Sequence, residues 1–356
     1  MKKTIDGKAL VYSDGAFNTP NGKTAHGLVR FTERYEVVGV LDQKYAGKDA
    51  GFVLDNKPNG IPIFKNLKAA LLALGENNKP ANLVIGLAPD GGRLPKEAKK
   101  VIKKALMLGM NVDSGLHDFL FKDKELMRIA KKNNCRVRDV RRSADRDELH
   151  FFTGKIEEVN CLKLALLGTD SAIGKRTSAW ILVHALRKAG LIASMIGTGQ
   201  TAWMQGAKYS MIMDSCINDF VSGEIEHAVH EAWKNENPDV IVIEGQGSLM
   251  NPAYPGGFEI LAAGRPDYVI LQHAPKRVEY DGFPGYVLHP LQEQIDAIET
   301  ISGKKVIAIT VNHEEMEIEE ILPACEKIKK ETGLPAFDVL QYGADELVDV
   351  LKKYLK

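Results

Sequence analysis

The feature that most limits the fold of this chain is a run of apolar residues that stops abruptly at a small-residue loop. Leu164, Ala165, Leu166 and Leu167 lead into Gly168-Thr169-Asp170-Ser171-Ala172-Ile173-Gly174-Lys175-Arg176-Thr177. A helical pattern then runs over Lys175–Ala189. A buried strand, a glycine-containing turn and a helix in direct succession form the first half of a βαβ unit. Such a loop turns backbone N–H groups inward, and the helix that follows adds the positive end of its dipole. The lysine supplies a mobile positive charge for a terminal phosphate. We therefore expect the ten residues Gly168–Thr177 to hold the phosphates of a nucleotide-like ligand.

The rest of the chain repeats the alternation. In the first half, strands are expected at Ala9–Tyr12, Tyr35–Leu41, Asn82–Gly86 and around Asn111 and Val112. Helices are expected at Leu67–Leu74, Leu94–Leu108 and Lys124–Lys132. Segment Val140–Glu148 is dense in charge and poor in apolar residues, so the linker falls there. In the second half, strands Cys161–Leu167, Ile192–Ile196, Val240–Glu244, Tyr268–Leu271 and Val306–Val311 are continuous Val, Ile and Leu, as in strands covered on both faces. Helices Ile225–Lys234 and Ala344–Tyr354 complete the pattern. The fold class expected is α/β, with two doubly wound, mainly parallel sheets. A Rossmann-like domain over residues 1–150 precedes a P-loop NTPase-like domain over residues 151–356.

Bulk properties narrow the function class. Lys plus Arg and Asp plus Glu number 47 each, which argues against a general nucleic-acid binder. Cys135, Cys161, Cys216 and Cys325 form no CxxC pair, a pattern suited to a reducing cytoplasm. The N-terminus, with Lys2 and Lys3, has no apolar core of signal-peptide length. No stretch approaches the ~18 apolar residues of a membrane span. These features lead us to expect a cytoplasmic, homo-oligomeric protein with a small-molecule substrate and no nucleic-acid or membrane partner.

The phosphate loop departs from the usual Gly-x-x-x-x-Gly-Lys-Ser/Thr in two ways. Thr169 holds the first glycine position, and Arg176 stands between Lys175 and Thr177. One helical residue turns a side chain by about 100°, so Thr177 need not sit where a magnesium-binding hydroxyl usually sits. Gly-Thr-Asp-x-x-x-Gly-Lys resembles the loop of dethiobiotin synthetase and the cobyrinic acid amidating enzymes, P-loop enzymes that act on small metabolites. Asp239–Ser248 supports the same reading: a buried strand ends in Glu244-Gly245-Gln246-Gly247. A carboxylate at the end of a neighbouring strand meets the metal or the reacting group in such folds.

Weaker candidates surround this core. Gly197-Thr-Gly-Gln200-Thr201 reads as a ligand-facing loop at the carboxyl end of the sheet. Asp214 and Ser215 precede a turn expected at Phe220–Gly223. His273 follows a strand and can act as a general base, because histidine titrates near neutral pH. In the first half, Asp42 ends a strand where a ribose-binding acid stands in dinucleotide folds, but the Gly-x-Gly-x-x-Gly fingerprint is absent after Tyr12. Segment Asn18–Arg30 is polar and long for a turn, so we expect it to fold over a ligand or over the other domain. Ala88–Arg93 resembles a ligand-facing loop of reductase-like Rossmann domains.

Three signatures occur together: Tyr-Ser-Asp-Gly-Ala-Phe at Tyr12–Phe17, Gly-Thr-Asp-Ser-Ala-Ile-Gly-Lys-Arg-Thr at Gly168–Thr177, and Glu-Gly-Gln-Gly-Ser-Leu at Glu244–Leu249. Together they resemble the DUF1611 family, over the whole chain. The resemblance implies a Rossmann-like domain followed by a P-loop domain. Some members of that family are D-glutamate N-acetyltransferases, which move acetyl from acetyl-CoA to the amine. On that reading the loop holds coenzyme A, with its 3′-phosphate and pyrophosphate, and hydrolyses nothing. The catalytic candidates are Glu244, His273 and Lys175. Backbone N–H groups around Gly245–Gly247 would serve as oxyanion donors. Arg30, Arg93, Gln200 and Gln246 are candidates for the substrate, with Arg176 as a further clamp for its carboxylates. The alternative is an ATP-dependent ligase or kinase on a small metabolite. There ATP replaces acetyl-CoA, and Thr177 and Glu244 hold Mg2+.

Overall fold

A computed structural model describes residues 5–355; Lys2 and Lys3 lie outside the described residues. The chain divides into two compact units. One runs to Arg142 and takes in Gln200–Gly206; the other comprises Ser143–Gly199 and continues from Ala207.

The first unit is built on six parallel strands: β1 (Gly7–Tyr12), β2 (Tyr35–Leu41), β3 (Ile63–Phe64), β4 (Asn82–Ile85), β5 (Asn111–Ser114) and β6 (Val137–Asp139). Their order, β3-β2-β1-β4-β5-β6, is that of a doubly wound Rossmann sheet. Both faces are covered, which explains the apolar stretches of the central strands β1 and β4. Leu10, Tyr12, Leu83 and Ile85 pack on one side with Ile102 and Leu126. Ala9, Val11 and Val84 pack on the other with Ala25, Leu28 and Met204.

The second unit carries seven parallel strands: β7 (Leu162–Gly168), β8 (Ala193–Gly197), β9 (Tyr209–Ser210), β10 (Val240–Glu244), β11 (Tyr268–His273), β12 (Val306–Val311) and β13 (Ala336–Phe337). Their order is β13-β12-β11-β7-β10-β8-β9, so β7 is central, flanked by β10 and β11. Glu244 pairs in register with Leu166, and Gln272 with Gly168. The carboxyl ends of these three strands therefore lie side by side, which is where open α/β sheets bind ligands.

Several local expectations change. The segment Asn18–Arg30 does not stay irregular: a 3-10 turn, Pro20–Gly22, leads into a helix, Lys23–Arg30. Ala25, Leu28 and Val29 recur at helical spacing and are buried, which outweighs the polar residues between them. No turn forms at Phe220–Gly223, which lies inside the helix Asn218–Glu236. Gly223 is there for proximity rather than bending, since a Cβ on it would meet the His150 carbonyl oxygen at 2.0 Å. The C-terminal helix is shorter, Asp345–Leu351, and ends in a 3-10 turn. Gln200 and Thr201 are not in a loop after β8 but in the helix Gln200–Gln205, which belongs to the first unit. There Thr24 and Thr201 share a hydroxyl hydrogen bond of 2.9 Å. Trp203 lies under the Arg34 guanidinium, 3.7 Å from the ring centre.

Candidate functional site

The site in the second unit is built from the carboxyl end of β7 outward. Thr169 continues the sheet for one more bond, its N–H donating to the Gln272 carbonyl at 2.9 Å. Asp170 then turns inward and is fully buried. Its Oδ1 accepts the Ser171 N–H at 2.7 Å and the Asn251 side-chain amide at 2.8 Å. Its Oδ2 accepts Arg277 Nη1 at 2.9 Å and the Asp281 N–H at 2.8 Å. Arg277 also donates to the Ser171 carbonyl at 2.7 Å and is itself held by Glu314 at 2.6 Å. Further along, Asn312 donates its side-chain amide to the Ile173 carbonyl at 2.8 Å. Residues following β10, β11 and β12 thus fix the path of the loop.

The loop closes through two left-handed residues, Ala172 (φ 53°) and Gly174 (φ 93°), before the helix Lys175–Lys188 begins. Gly174 takes this conformation without strain; Ala172 takes it at a cost of about 1 kcal/mol. Among the described residues, no backbone carbonyl receives the N–H of Ala172, Ile173 or Gly174. These donors stand at a helix N-terminus, which is the arrangement that binds anions.

Lys175 is almost fully buried, and its Nζ donates to the Asp170 carbonyl at 2.5 Å. Its stem runs against two glycines. A Cβ on Gly168 would lie 2.7 Å from Lys175 Cδ, and one on Gly245 would lie 3.1 Å from the same atom and 2.3 Å from the Leu166 carbonyl. Both glycines are needed for the lysine to cross the ends of β7 and β10.

Glu244 lies beside this lysine. It is buried, with Oε2 accepting the Thr198 N–H at 2.8 Å. Burial raises its carboxyl above the ordinary carboxylate range, against the opposing pull of Arg176, the Thr198 and Gly199 N–H groups and Lys175. His273 stands at the end of β11, with Nδ1 3.1 Å from Thr169 Oγ1. Burial pushes its imidazole down to about 4, so it is neutral at pH 7. Gln246 donates to Thr198 Oγ1 at 3.0 Å. Arg176 and Thr177, half-buried, open the helix behind Lys175. Among the described residues, no three His, Cys, Asp or Glu side chains gather as a metal site.

A cavity of about 160 Å³ adjoins the loop. Leu167, Gly168 and the Gln246–Met250 stretch form one side, and His289, Glu293, Gln294, Ala297 and Ile298 the other. No local pattern pointed to this second wall, which comes from the helix Leu291–Ser302 and from His289, two residues before it.

Asp214 and Ser215 fall in the 3-10 turn Met213–Ser215 of the second unit, and the other sequence candidates lie in the first. Arg30 is engaged by Asp55, with Nη2 to Oδ1 at 2.6 Å and Nε to Oδ2 at 3.0 Å. Arg93 is exposed after the 3-10 turn Asp90–Gly92. Gln200 is buried against Gly115. Asp42 is fully buried and accepts N–H bonds from Phe17, Lys44 and Tyr45 at 3.1, 2.9 and 3.2 Å, which commits both carboxylate oxygens to the backbone rather than to a ribose.

Comparison with known proteins fits this geometry. The P-loop domain of the DUF1611 family (a domain of unknown function) matches residues 150–348, and the Rossmann-like N-terminal domain of the same family matches residues 43–143. The chain belongs to the DUF1611 family. A DUF1611 protein of Anabaena variabilis, known from its crystal structure, superposes with a TM-score of 0.88 at 29% identity, covering 97% of this chain and 99% of the other. A D-glutamate N-acetyltransferase of Tritonibacter scottomollicae is 31% identical over 275 residues, 76% of this chain and 80% of that protein. One from a Pseudoalteromonas species is 29% identical over 296 residues, 82% and 87% of the two chains. The Gly168–Thr177 segment and Glu244 of this DUF1611 chain fall within the matched P-loop domain. No helix among its described residues is long and apolar enough to cross a membrane.

Proposed function

We propose that this chain is an N-acetyltransferase that moves acetyl from acetyl-CoA to the amine of D-glutamate or a similar acidic amino acid. The observation that carries the reading is the extent of likeness to the D-glutamate N-acetyltransferase of Tritonibacter scottomollicae, 31% identity across 76% of the chain. The site supports it. The free amides of Ala172, Ile173 and Gly174, the helix N-terminus and Lys175 suit the phosphates of coenzyme A. The residue order Lys175-Arg176-Thr177 does not matter to a loop that only binds.

Acetyl-CoA supplies a thioester carbonyl: the new C–N bond to the amine forms as the C–S bond breaks, and the departing thiolate takes up a proton. Glu244 accepts the proton that the substrate ammonium must lose. Its raised pKa brings it closer to that task than an ordinary carboxylate. Backbone N–H groups around Gly245–Gly247 are the donors for the oxyanion.

The test is a melting scan with acetyl-CoA, ATP, GTP and NAD, followed by an acetylation assay across D- and L-amino acids. A ligand that binds the native state raises its melting point. Acetyl-CoA should give the largest rise, and D-glutamate the fastest turnover. A rise with ATP alone, and magnesium-dependent ADP release, would replace this reading with that of a ligase or kinase. The rate should also climb with pH through a pKa above the ordinary carboxylate value, because the base works only when deprotonated, and Glu244→Gln should remove that limb.

A further inference from the structure

The cavity beside the phosphate loop has chemistry of its own. Apolar side chains of Leu167, Leu249, Met250, Ala297 and Ile298 make most of its wall. No lysine or arginine lines it, and its one carboxylate is Glu293. A dicarboxylate amino acid placed there would set two carboxylates beside Glu293 and on apolar walls, with only its own ammonium to offset them. A neutral chain meets no such penalty.

Position points the same way. Gly168 is both the last residue of β7 and part of the cavity wall. Gln246 and Gly247, which also line it, follow Glu244 by two and three residues. A ligand with phosphates on the loop and its reacting end near Glu244 therefore has this cavity immediately beside its path. The volume of about 160 Å³ falls short of the ~300 Å³ at which whole-ligand pockets begin, so it suits part of a ligand. The few polar groups present fit an amide-bearing chain. Gln246 donates one amide N–H to Thr198 and has a second N–H and a carbonyl oxygen to offer. His289 is held in place by Tyr280, hydroxyl to Nδ1, at 2.8 Å.

We propose that this cavity receives the neutral, amide-linked thiol arm of the acyl donor, and that the amino acid binds elsewhere. The proposal rests on the acetyl-CoA reading above. It separates the donor into two subsites: charge on the loop, and a neutral chain between β7 and the helix Leu291–Ser302.

Two ligands distinguish the subsites: acetyl-CoA, and adenosine 3′,5′-bisphosphate, which has phosphates but no arm. Ala297→Trp fills the cavity, and Ala297→Leu fills it less and is the milder change should the tryptophan variant not fold. Calorimetry should show acetyl-CoA weakened about tenfold or more by tryptophan and by a smaller factor by leucine, with the bisphosphate held within about twofold. Lys175→Ala should weaken both ligands together. The proposal is overturned if folded Ala297 variants bind acetyl-CoA as the unaltered chain does, if they weaken both ligands equally, or if they raise KM for D-glutamate alone. If the unaltered chain binds neither ligand, the acetyl-CoA reading itself fails, and the cavity assignment with it.

Discussion

Each of the two sheets has a loop that leaves its central region and runs to a helix, and the two loops solve the same problem differently. After β1, residues Ser13–Thr19 are tied to Asp42 through the Phe17 N–H, and after β7, residues Thr169–Gly174 are organised by Asp170; both acids are fully buried. Asp42 is satisfied by backbone N–H groups alone. Asp170 also takes a charged partner, Arg277, and a side-chain amide, Asn251. The first loop fills itself: Phe17 is fully buried under the chain. The second places Lys175 and three free amides where the first places an aromatic ring. A buried aspartate is thus a general way to hold a β-to-α loop in shape. What makes one of them a candidate anion site is the glycine-backed lysine.

The largest effect expected from this contrast is at Arg277. Its replacement by alanine leaves Asp170 buried with an uncompensated charge, at a cost of about 3–5 kcal/mol. Denaturant unfolding should show this loss, together with a collapse of acetyl-CoA binding. Asp170→Asn in the Arg277→Ala background should restore much of the stability. If Arg277→Ala costs under about 1 kcal/mol, the charged clamp is not what sets this loop apart.

Next comes Lys175→Ala. Turnover should fall by about 100- to 1000-fold, the scale for removing one preorganised electrostatic contact, and the melting shift with acetyl-CoA should vanish. The lysine donates to a loop carbonyl and its charge also opposes the burial of Glu244, so the melting point of the ligand-free variant is read beside the shift. An unchanged shift in this variant removes the loop from the mechanism and makes the two loops equivalent.

At Asp42 the contrast reverses: the effect belongs to stability and not to the ligand. Asp42→Ala strips the Lys44 and Tyr45 N–H groups of their acceptor, leaves the Phe17 N–H with the Ser13 carbonyl, and should cost about 2 kcal/mol, part of it recovered by water at exposed Lys44. Acetyl-CoA affinity, measured by calorimetry on the folded fraction, should not change. A melting shift with NAD that Asp42→Ala abolishes would show that the first loop binds a dinucleotide after all.

The same contrast explains what the sequence made legible. Strands β7, β10 and β12 are mostly apolar runs, and β7 and β10 end in Gly168 and Glu244, so local pattern was enough to bring the two together. Asp42 was open to two readings, because a strand-ending acid looks alike whether it faces a ribose or its own loop. Only the position of the Phe17, Lys44 and Tyr45 amides decides between them. The helix Gln200–Gln205 was read as a loop of the second half, although its partners Thr24 and Arg34 are far back in the chain. No window of residues around Gln200 contains them. The cavity wall at Ala297 was invisible for the same reason.

The smallest expected effect concerns backbone strain. The loop after β1 assigns its left-handed positions to Gly15 and Asn18, residues that accept them readily. The loop after β7 assigns one to Ala172, whose Cβ pays for that conformation. Ala172→Gly relieves about 1 kcal/mol of strain but frees the unfolded chain by about 0.5–1 kcal/mol, so the net change in stability should be within about 0.5 kcal/mol and favourable. Ala172 is exposed, so no packing is lost with the methyl group. Affinity should move the other way. Glycine lets the three amides wander before the ligand arrives, and acetyl-CoA should bind about two- to fivefold more weakly. The matching change, Asn18→Gly, should leave acetyl-CoA affinity alone. If Ala172→Gly tightens binding, the left-handed alanine is a burden on the cradle, and the preorganisation assigned to this loop lies in Asp170 and its partners alone.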